Sequence, residues 1–289
     1  MNSVKVSICI PIYNGEEYLC ECLSSVKNQT FKDFELIISD DKSTDSSLKI
    51  VQGFLRKNPW IKNKIFFNNT RGIGSNWNNC LRNVSGEYIK FLFQDDILEP
   101  NCLDQMVSYL DANAEVGMVG CLRRIICHDG DSEYYSNWIE NYSDLQQTLR
   151  NTEIGNFRIS YSLFKSSLFF QEPKNKVGEP SSVMFRKKII KEVGFFRENL
   201  NQSLDYEYWY RILKVSDIII LDSTLIGFRL HKNQASNKNS SNSKLELKSL
   251  NRLYLLNHFW DFSFRNKIEI ILRSYPIVQK MIRRIKRFF

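Results

Sequence analysis

Val4-Lys5-Val6-Ser7-Ile8-Cys9-Ile10-Pro11 is a β-branched, apolar run stopped by proline, the pattern of a buried strand. Directly after it, residues 16–28 carry Leu19, Leu23 and Val26 at helical spacing, with Asn14-x-x-Glu17 expected to open that helix as a capping box. The pair recurs along the chain. Strands over 34–39, 64–67 and 87–93 alternate with helices over 44–56, 75–84 and 101–111. Four strand-then-helix units predict an α/β fold, Rossmann-like, with a mostly parallel sheet flanked by helices on both faces. Beyond a further strand at 116–121 the alternation stops, and from 129 to 175 aromatic and polar residues mix without a period. Order returns with strands at 182–185, 217–221 and 225–230 and helices at 187–193 and 205–215. An Asn/Ser/Lys loop over 232–244 precedes a helical C-terminal region.

A chain of 289 residues, 43% hydrophobic and 25% charged, with six prolines and twelve glycines, can bury a sizeable core, which excludes a disordered chain. The apolar stretches at 4–10, 218–221 and 268–272 fall well short of the ~20 residues of a membrane-spanning helix. The N-terminus has no basic region followed by an apolar one, so the chain is expected to stay in the cytoplasm. Seven cysteines without a CxxC pair read as reduced core residues rather than a disulfide framework or a zinc site.

Net charge is informative once located. Residues 262–289 hold eight basic residues and one acid, so this end carries +7 of the chain's +8. A nearly neutral body argues against a nucleic-acid partner. Past Pro276, apolar residues 277, 278, 281, 282, 285, 288 and 289 share one helical face and basic residues 280, 283, 284, 286 and 287 the other. That C-terminal amphipathic helical tail is expected to lie on an anionic membrane surface, each basic residue contributing ~1 kcal/mol. The competing reading packs its apolar face on the domain.

In an open parallel sheet, ligands bind at the C-terminal ends of the strands. There the sequence places Pro11-Ile12-Tyr13-Asn14, Asp40-Asp41, Asn68-Asn69-Thr70-Arg71 and Gln94-Asp95-Asp96. Adjacent carboxylates repel unless a cation or donor-rich ligand compensates them, so Asp95-Asp96 is a candidate site for Mg²⁺ or Mn²⁺. The other reading makes Asp96 the cap of the helix beginning at 101, and a similar capping role is open to Asp40-Asp41.

Together the motifs resemble the family-2 glycosyltransferases. The resemblance rests on Ser7-Ile8-Cys9-Ile10-Pro11-Ile12-Tyr13-Asn14-Gly15-Glu16, on Ser24-Ser25-Val26-Lys27-Asn28-Gln29-Thr30 and on Ser39-Asp40-Asp41-x-Ser43-Thr44-Asp45. Gly86-Glu87-Tyr88-Ile89 leading to Asp95-Asp96 completes it. It is dense over about the first 120 residues and returns at 180–186 and 194–211. It implies a GT-A fold, a nucleotide-sugar donor, a divalent metal and inverting transfer to an acceptor hydroxyl. By the resemblance, the backbone around Pro11, Ile12 and Tyr13 packs on the base, Asp41 hydrogen-bonds it, and Asp40 supports that loop or the ribose. Asp95 reaches towards ribose or sugar, and Asp96 ligates the metal. One of Asn76, Asn78 and Asn79, with Asn76 the choice here, contacts the donor; a solvated helix face is the alternative. Lys42 stands where the family commonly has Gly or Asn.

Leu204-Asp205-Tyr206-Glu207-Tyr208-Trp209-Tyr210-Arg211 resembles the family's Glu-Asp-Tyr-x-x-Trp-x-Arg element, which makes Asp205 the expected general base. Leu204 replaces the usual Glu, leaving Glu207 as a substitute, and Asp205 as a helix cap is the bland reading. His231, in Arg229-Leu230-His231, matches an Arg-x-His segment whose His completes the metal site; a structural His after a strand is the alternative.

The implied protein is an inverting, metal-dependent hexosyltransferase (EC 2.4) that uses a nucleotide-sugar, UDP-linked by default. Its acceptor is a lipid-linked oligosaccharide or other glycan of bacterial surface polysaccharide, and it works peripherally at the inner face of the cell membrane. A catalytically inactive nucleotide-sugar binding module on the same fold is the alternative. The expected division is a GT-A domain over 1–243, with a nucleotide-binding half to 120 and an acceptor half from 121, followed by a basic tail over 244–289.

Overall fold

Strand β1 (Val6–Ile12) is buried along its whole length and divides two cores. Val6, Ile8, Ile10 and Ile12 face one core, while Cys9 faces the other, as the two-residue period of a strand requires. A computed structural model describes residues 4–127, 133–150, 155–234 and 243–275. The N-terminal half follows the expected alternation: β1, α1 (Leu19–Lys27), β2 (Phe34–Asp40), α2 (Ser47–Lys57), β3 (Lys62–Phe67), α3 (Ile73–Asn83), β4 (Tyr88–Phe91). These strands lie in the order β3-β2-β1-β4, all parallel. The exposed edge strand β3 carries Lys62 and Lys64, which blunt it against further pairing.

The second half turns the sheet mixed. It contains β5 (Ile97–Leu98), α4 (Cys102–Ala112), β6 (Met118–Ile126), α5 (Ser136–Tyr142), β7 (Phe157–Ile159), β8 (Val183–Arg186), α6 (Ile190–Val193), α7 (Leu204–Leu213) and β9 (Ile218–Arg229). Strand β8 runs antiparallel between β4 and β6, β9 is parallel to β6, and β5 and β7 pair antiparallel with β9. Parallel geometry therefore holds through the four N-terminal strands and between β6 and β9, and the antiparallel pairs are those made by β5, β7 and β8. The two strands expected at 217–221 and 225–230 are one strand, β9, whose pairing with β6 shifts register around Leu122.

One local expectation changes. Asn14 does not form a capping box with Glu17: its Oδ1 accepts from Thr44 N at 2.8 Å, and Glu16, not Glu17, takes Ser46 N at 2.8 Å. The two loops after β1 and β2 are thus tied to each other instead of to the first helix. Lys42 has φ +64°, the left-handed conformation that Gly or Asn adopts at lower cost.

The segment after 243 is joined to the domain rather than set apart from it. Helices α8 (Ser243–His258) and α9 (Phe264–Ser274) and the turn between them bury Leu250, Tyr254, Phe262 and Ile270 in the same core as Phe164, Phe169 and Tyr210. Asn266 Nδ2 also donates to the carbonyls of Phe164 and Ser166. The amphipathic run at 276–289 lies outside the described residues. No helix among the described residues is long and apolar enough to cross a membrane. Five of the seven free cysteines are buried, but Cys20 is exposed and Cys127 is half-buried.

Candidate active site

The C-terminal ends of β1, β2 and β4 meet at one edge. Asp41 N donates to Ile12 O at 2.9 Å, and Gln94 closes a two-way bond with Tyr13, accepting from Tyr13 N at 2.9 Å and donating to Tyr13 O at 3.1 Å. Pro11 and Ile12 are buried strand residues. The Tyr13 ring is 44% exposed, with the Arg71 guanidinium 5.3 Å over its centre. Asp40 is buried and accepts Ser43 N, a bond within the loop after β2. Asp41 has both carboxylate oxygens engaged: Oδ1 by Asn68 Nδ2 at 2.8 Å and Oδ2 by Gly72 N at 3.0 Å.

Asn76 departs from the donor contact expected of it. It is buried, its Oδ1 accepts from Ser39 Oγ at 2.6 Å, and its Nδ2 donates to Ile12 O at 3.3 Å, so its amide braces the ends of β1 and β2. Asn79 donates to the same Ser39 hydroxyl, and Asn78 brackets the Phe196 backbone. The solvated-face alternative fails for Asn76 and Asn78, which are buried.

Asp96 is buried, and no helix cap: its Oδ1 accepts Arg229 N at 3.2 Å, while α4 begins after Asn101. Its Oδ2, beside Ser181, is buried without a hydrogen-bond partner among the described residues. Burial, then the neighbouring Asp95 charge, push the Asp96 carboxyl above the usual range. Half-buried Asp95 places Oδ2 3.0 Å from Nε2 of His231, whose ring lies 4.8 Å from that of Tyr18. Asp95, Asp96 and His231 thus occupy one turn-and-strand-end cluster. Among the described residues no three His, Cys, Asp or Glu side chains converge as a self-sufficient metal site. An oxygen-rich pair with one orphaned buried oxygen fits a hard cation that arrives with oxygens of its own, such as phosphate.

Asp205 lies in the first turn of α7, whose capping position is Ser203, so the helix-cap reading does not hold. Its Oδ2 accepts from Asn175 Nδ2 at 2.9 Å, and its Oδ1 is buried without a partner among the described residues. Burial raises its carboxyl to about 7, against the backbone N–H groups of its own turn, Tyr206 and Asp205, and the smaller effect of the hydrogen bond from Asn175. Glu207, the substitute, is pinned by Arg197 at 2.9 Å and Arg211 at 2.9 Å, which removes it as a base.

Three contributors escape the sequence reading. Arg123 on β6 is buried, pairs with Glu179, and has both Asp96 and Asp205 among the charges that favour its cationic form; burial lowers it to about 10. Asn175 ends the stretch without a period, and Glu179 lies four residues beyond it. The available signal was an Arg-Arg pair inside an apolar strand ending at the ligand-bearing edge.

Beside Asp205 opens a cavity of ≈ 450 Å³ lined by Trp138, Tyr142, Asn175, Ser203 and Tyr206 among others. A smaller one of ≈ 160 Å³, lined by Arg123, Gly178 and Ser182, shares Leu145 with it. Buried strand-end carboxylates, with a cavity beside a carboxyl raised to about 7, suit group transfer between two substrates.

Comparison with known proteins supplies the relatives. The sequence signature described as "Glycosyl transferase family 2" matches residues 7–194. An uncharacterized glycosyltransferase of Rickettsia typhi is 28% identical over 80% of this chain and 66% of its own length. A poly(ribitol-phosphate) beta-glucosyltransferase of Bacillus spizizenii is 30% identical over 72% of this chain and 32% of its own. The chain therefore spans about two thirds of the first relative and about one third of the second. Among solved structures, S. aureus TarS 1-349 in complex with UDP-GlcNAc superposes with a TM-score of 0.69 at 18% identity, over 93% of this chain and 71% of that one. A Pyrobaculum calidifontis mannosyltransferase in complex with GDP-Man and Mn²⁺ gives 0.63 at 15%, over 89% and 66%. These likenesses show the GT-A fold.

Proposed function

We propose that this chain, which belongs to glycosyl transferase family 2, moves a sugar from a nucleotide-sugar to an acceptor hydroxyl with inversion at the anomeric carbon. The observation that carries the reading is Asp205: a buried carboxyl near neutrality, one oxygen held by Asn175 and the other unpartnered, next to a cavity. As the acceptor oxygen bonds to the anomeric carbon, its proton passes to Asp205. The bond from that carbon to the diphosphate breaks on the opposite face, and the nucleoside diphosphate leaves with the electron pair.

Pro11, Ile12 and Tyr13 would seat the base, Asp41 would hydrogen-bond it, and Asp40 would support that loop or the ribose. Asp95 would reach the ribose or sugar. A divalent cation, Mn²⁺ or Mg²⁺, held by Asp96 with Asp95 and His231 beside it, would neutralise charge on the diphosphate. UDP is the default nucleotide, a choice supported by TarS in complex with UDP-GlcNAc; GDP-Man in the second complex keeps guanosine donors in the test. The Bacillus relative supports a place in surface-polysaccharide synthesis, with a lipid-linked glycan as acceptor.

Work at the inner face of a membrane is part of the proposal. Leu256, Trp260 and Phe264 are strongly exposed, Ile268 less so, and Lys267 Nζ rests 5.4 and 5.2 Å over the Phe259 and Trp260 rings. Apolar and basic groups presented together suit the headgroup region of anionic lipid. Co-sedimentation with phosphatidylglycerol vesicles, lost in Trp260→Ala/Phe264→Ala and absent with phosphatidylcholine, is the expected result. Equal binding by the double variant would refute that surface.

The main test is a panel of UDP-, dTDP- and GDP-sugars with Mn²⁺ or Mg²⁺, beside Asp96→Ala and Asp205→Asn. Metal-dependent release of one nucleoside diphosphate, lost in Asp96→Ala, supports the donor site. No turnover and no stabilisation by any nucleotide would leave an inactive module on the same fold.

A further inference from the structure

The cavity beside Asp205 has a one-sided chemistry. Trp138 and Tyr142 of α5 and Tyr206 of α7 give it aromatic surface. Trp138 is held in place: its ring stacks on Phe228 at 5.8 Å and 13°, and the Arg123 guanidinium lies 5.5 Å from its centre. Three carboxylates line the cavity, Glu172, Glu179 and Glu246, against a single lysine, Lys174. Their cationic partners are already engaged. Lys174 pairs with Glu172 at 3.1 Å, and Arg123 with Glu179.

Glu246, from α8, accepts the N–H groups of Asn201, Gln202 and Ser203 and the Ser203 hydroxyl, which fixes the turn into α7. Glu179 keeps a buried Oε2 with no hydrogen-bond partner among the described residues. An acceptor bearing a phosphate would meet an excess of negative charge here, with no free cation among the lining residues to receive it. A pyranose ring offers what the walls lack: C–H faces for the aromatic rings and hydroxyl donors for the carboxylates.

Resting on the glycosyl-transfer reading above, we infer that this cavity is an acceptor subsite for a neutral sugar ring, stacked on Trp138 and hydrogen-bonded by Glu179. It selects against polyol-phosphate acceptors. The larger cavity adjoins the one lined by Arg123, the two sharing Leu145.

The test needs no donor. Saturation-transfer NMR on the full chain is recorded with methyl glycosides of glucose, galactose, rhamnose and N-acetylglucosamine, and with ribitol 5-phosphate and glycerol 3-phosphate. The expected result is saturation of the ring protons of at least one glycoside and none of either polyol phosphate. Trp138→Ala weakens that glycoside by about tenfold in Kd, while Trp138→Phe stays within about threefold of the wild type. Tyr142→Ala, on the same wall, gives a second variant should Trp138→Ala fail to fold.

Binding of a polyol phosphate, no saturation of any glycoside at millimolar concentration, or unchanged affinity in folded variants would each overturn the inference. Calorimetry with UDP and GDP on the same sample reads the donor site separately, so loss of the donor reading and loss of the acceptor reading are told apart.

Discussion

The backbone N–H of Arg229, the last residue of β9, donates to Oδ1 of Asp96 at 3.2 Å across 133 residues of chain. The same residue's Nε donates to the Asp95 carbonyl at 3.0 Å, its Nη2 meets Glu21 at 2.6 Å, and its guanidinium covers the Tyr18 ring at 4.6 Å. One buried arginine thus ties the Asp95-Asp96 turn to α1 and to the end of β9.

Replacing that arginine by methionine keeps much of the bulk and the backbone bond but strands the Asp95 carbonyl. Arg229→Met is expected to lower unfolding free energy by about 1–3 kcal/mol and to weaken metal-dependent nucleotide binding. Urea unfolding and calorimetry with UDP and Mn²⁺ check both. Unchanged stability would show that the clamp contributes nothing.

The acid limb of the transfer rate follows Asp205. A base must be ionised to accept a proton, and burial raises this carboxyl from 3.8 to about 7, so kcat/KM rises with pH up to about 7 and levels off above it. Asn175 opposes that rise by donating to the carboxylate, so Asn175→Leu moves the inflection to higher pH. The same shift makes the folded state bind more protons than the unfolded state between about pH 4 and pH 7. This carboxyl's contribution to stability therefore falls as pH rises through that window. A pH–rate profile of wild type and variant decides the point: an inflection that does not move, or moves down, contradicts the assignment.

Lys42 occupies a left-handed position, φ +64°, between Asp41 and Ser43. Its Nζ bond to Asn69 O at 3.0 Å is exposed and adds little. Lys42→Gly is expected to raise stability by up to about 1 kcal/mol, relief of the strained φ exceeding the entropy of glycine in the unfolded chain. A lower urea midpoint for the variant would contradict this.

Gly86 has no room for a side chain: a Cβ there would lie 2.6 Å from Ser7 N and 2.8 Å from Val6 C, backbone atoms of β1 that cannot yield cheaply. Its own N–H donates to Ser7 Oγ at 2.8 Å, and Ser7 in turn donates to Glu35 at 2.6 Å. Gly86→Ala is expected to cost about 1–3 kcal/mol by forcing β1 and β4 apart. Thermal unfolding within a degree of the wild type would show that the approach relaxes.

The amino-acid sequence by itself determined the parallel half of the sheet, because strand and helix periods are properties of near neighbours. Val6, Ile8, Ile10 and Ile12 face one core whatever lies hundreds of residues away. Its strand-end carboxylates were legible for the same reason: Asp40, Asp41, Asp95 and Asp96 each follow a readable strand, and the structure brings them to one edge.

What only the tertiary structure decided depends on partners distant in the chain. Asn76 reads as a ligand contact until Ser39 and Ile12 are seen to use its amide. Glu207 reads as a spare base until Arg197 and Arg211 hold both its oxygens. The segment after 243 reads as a separate tail until Leu250, Tyr254, Phe262 and Ile270 enter the main core. The titration of Asp205 near neutrality has the same origin. It requires the packing that removes its carboxyl from water, a rise that the Asn175 amide 30 residues earlier opposes, and burial is a property of the assembled fold that no local pattern encodes.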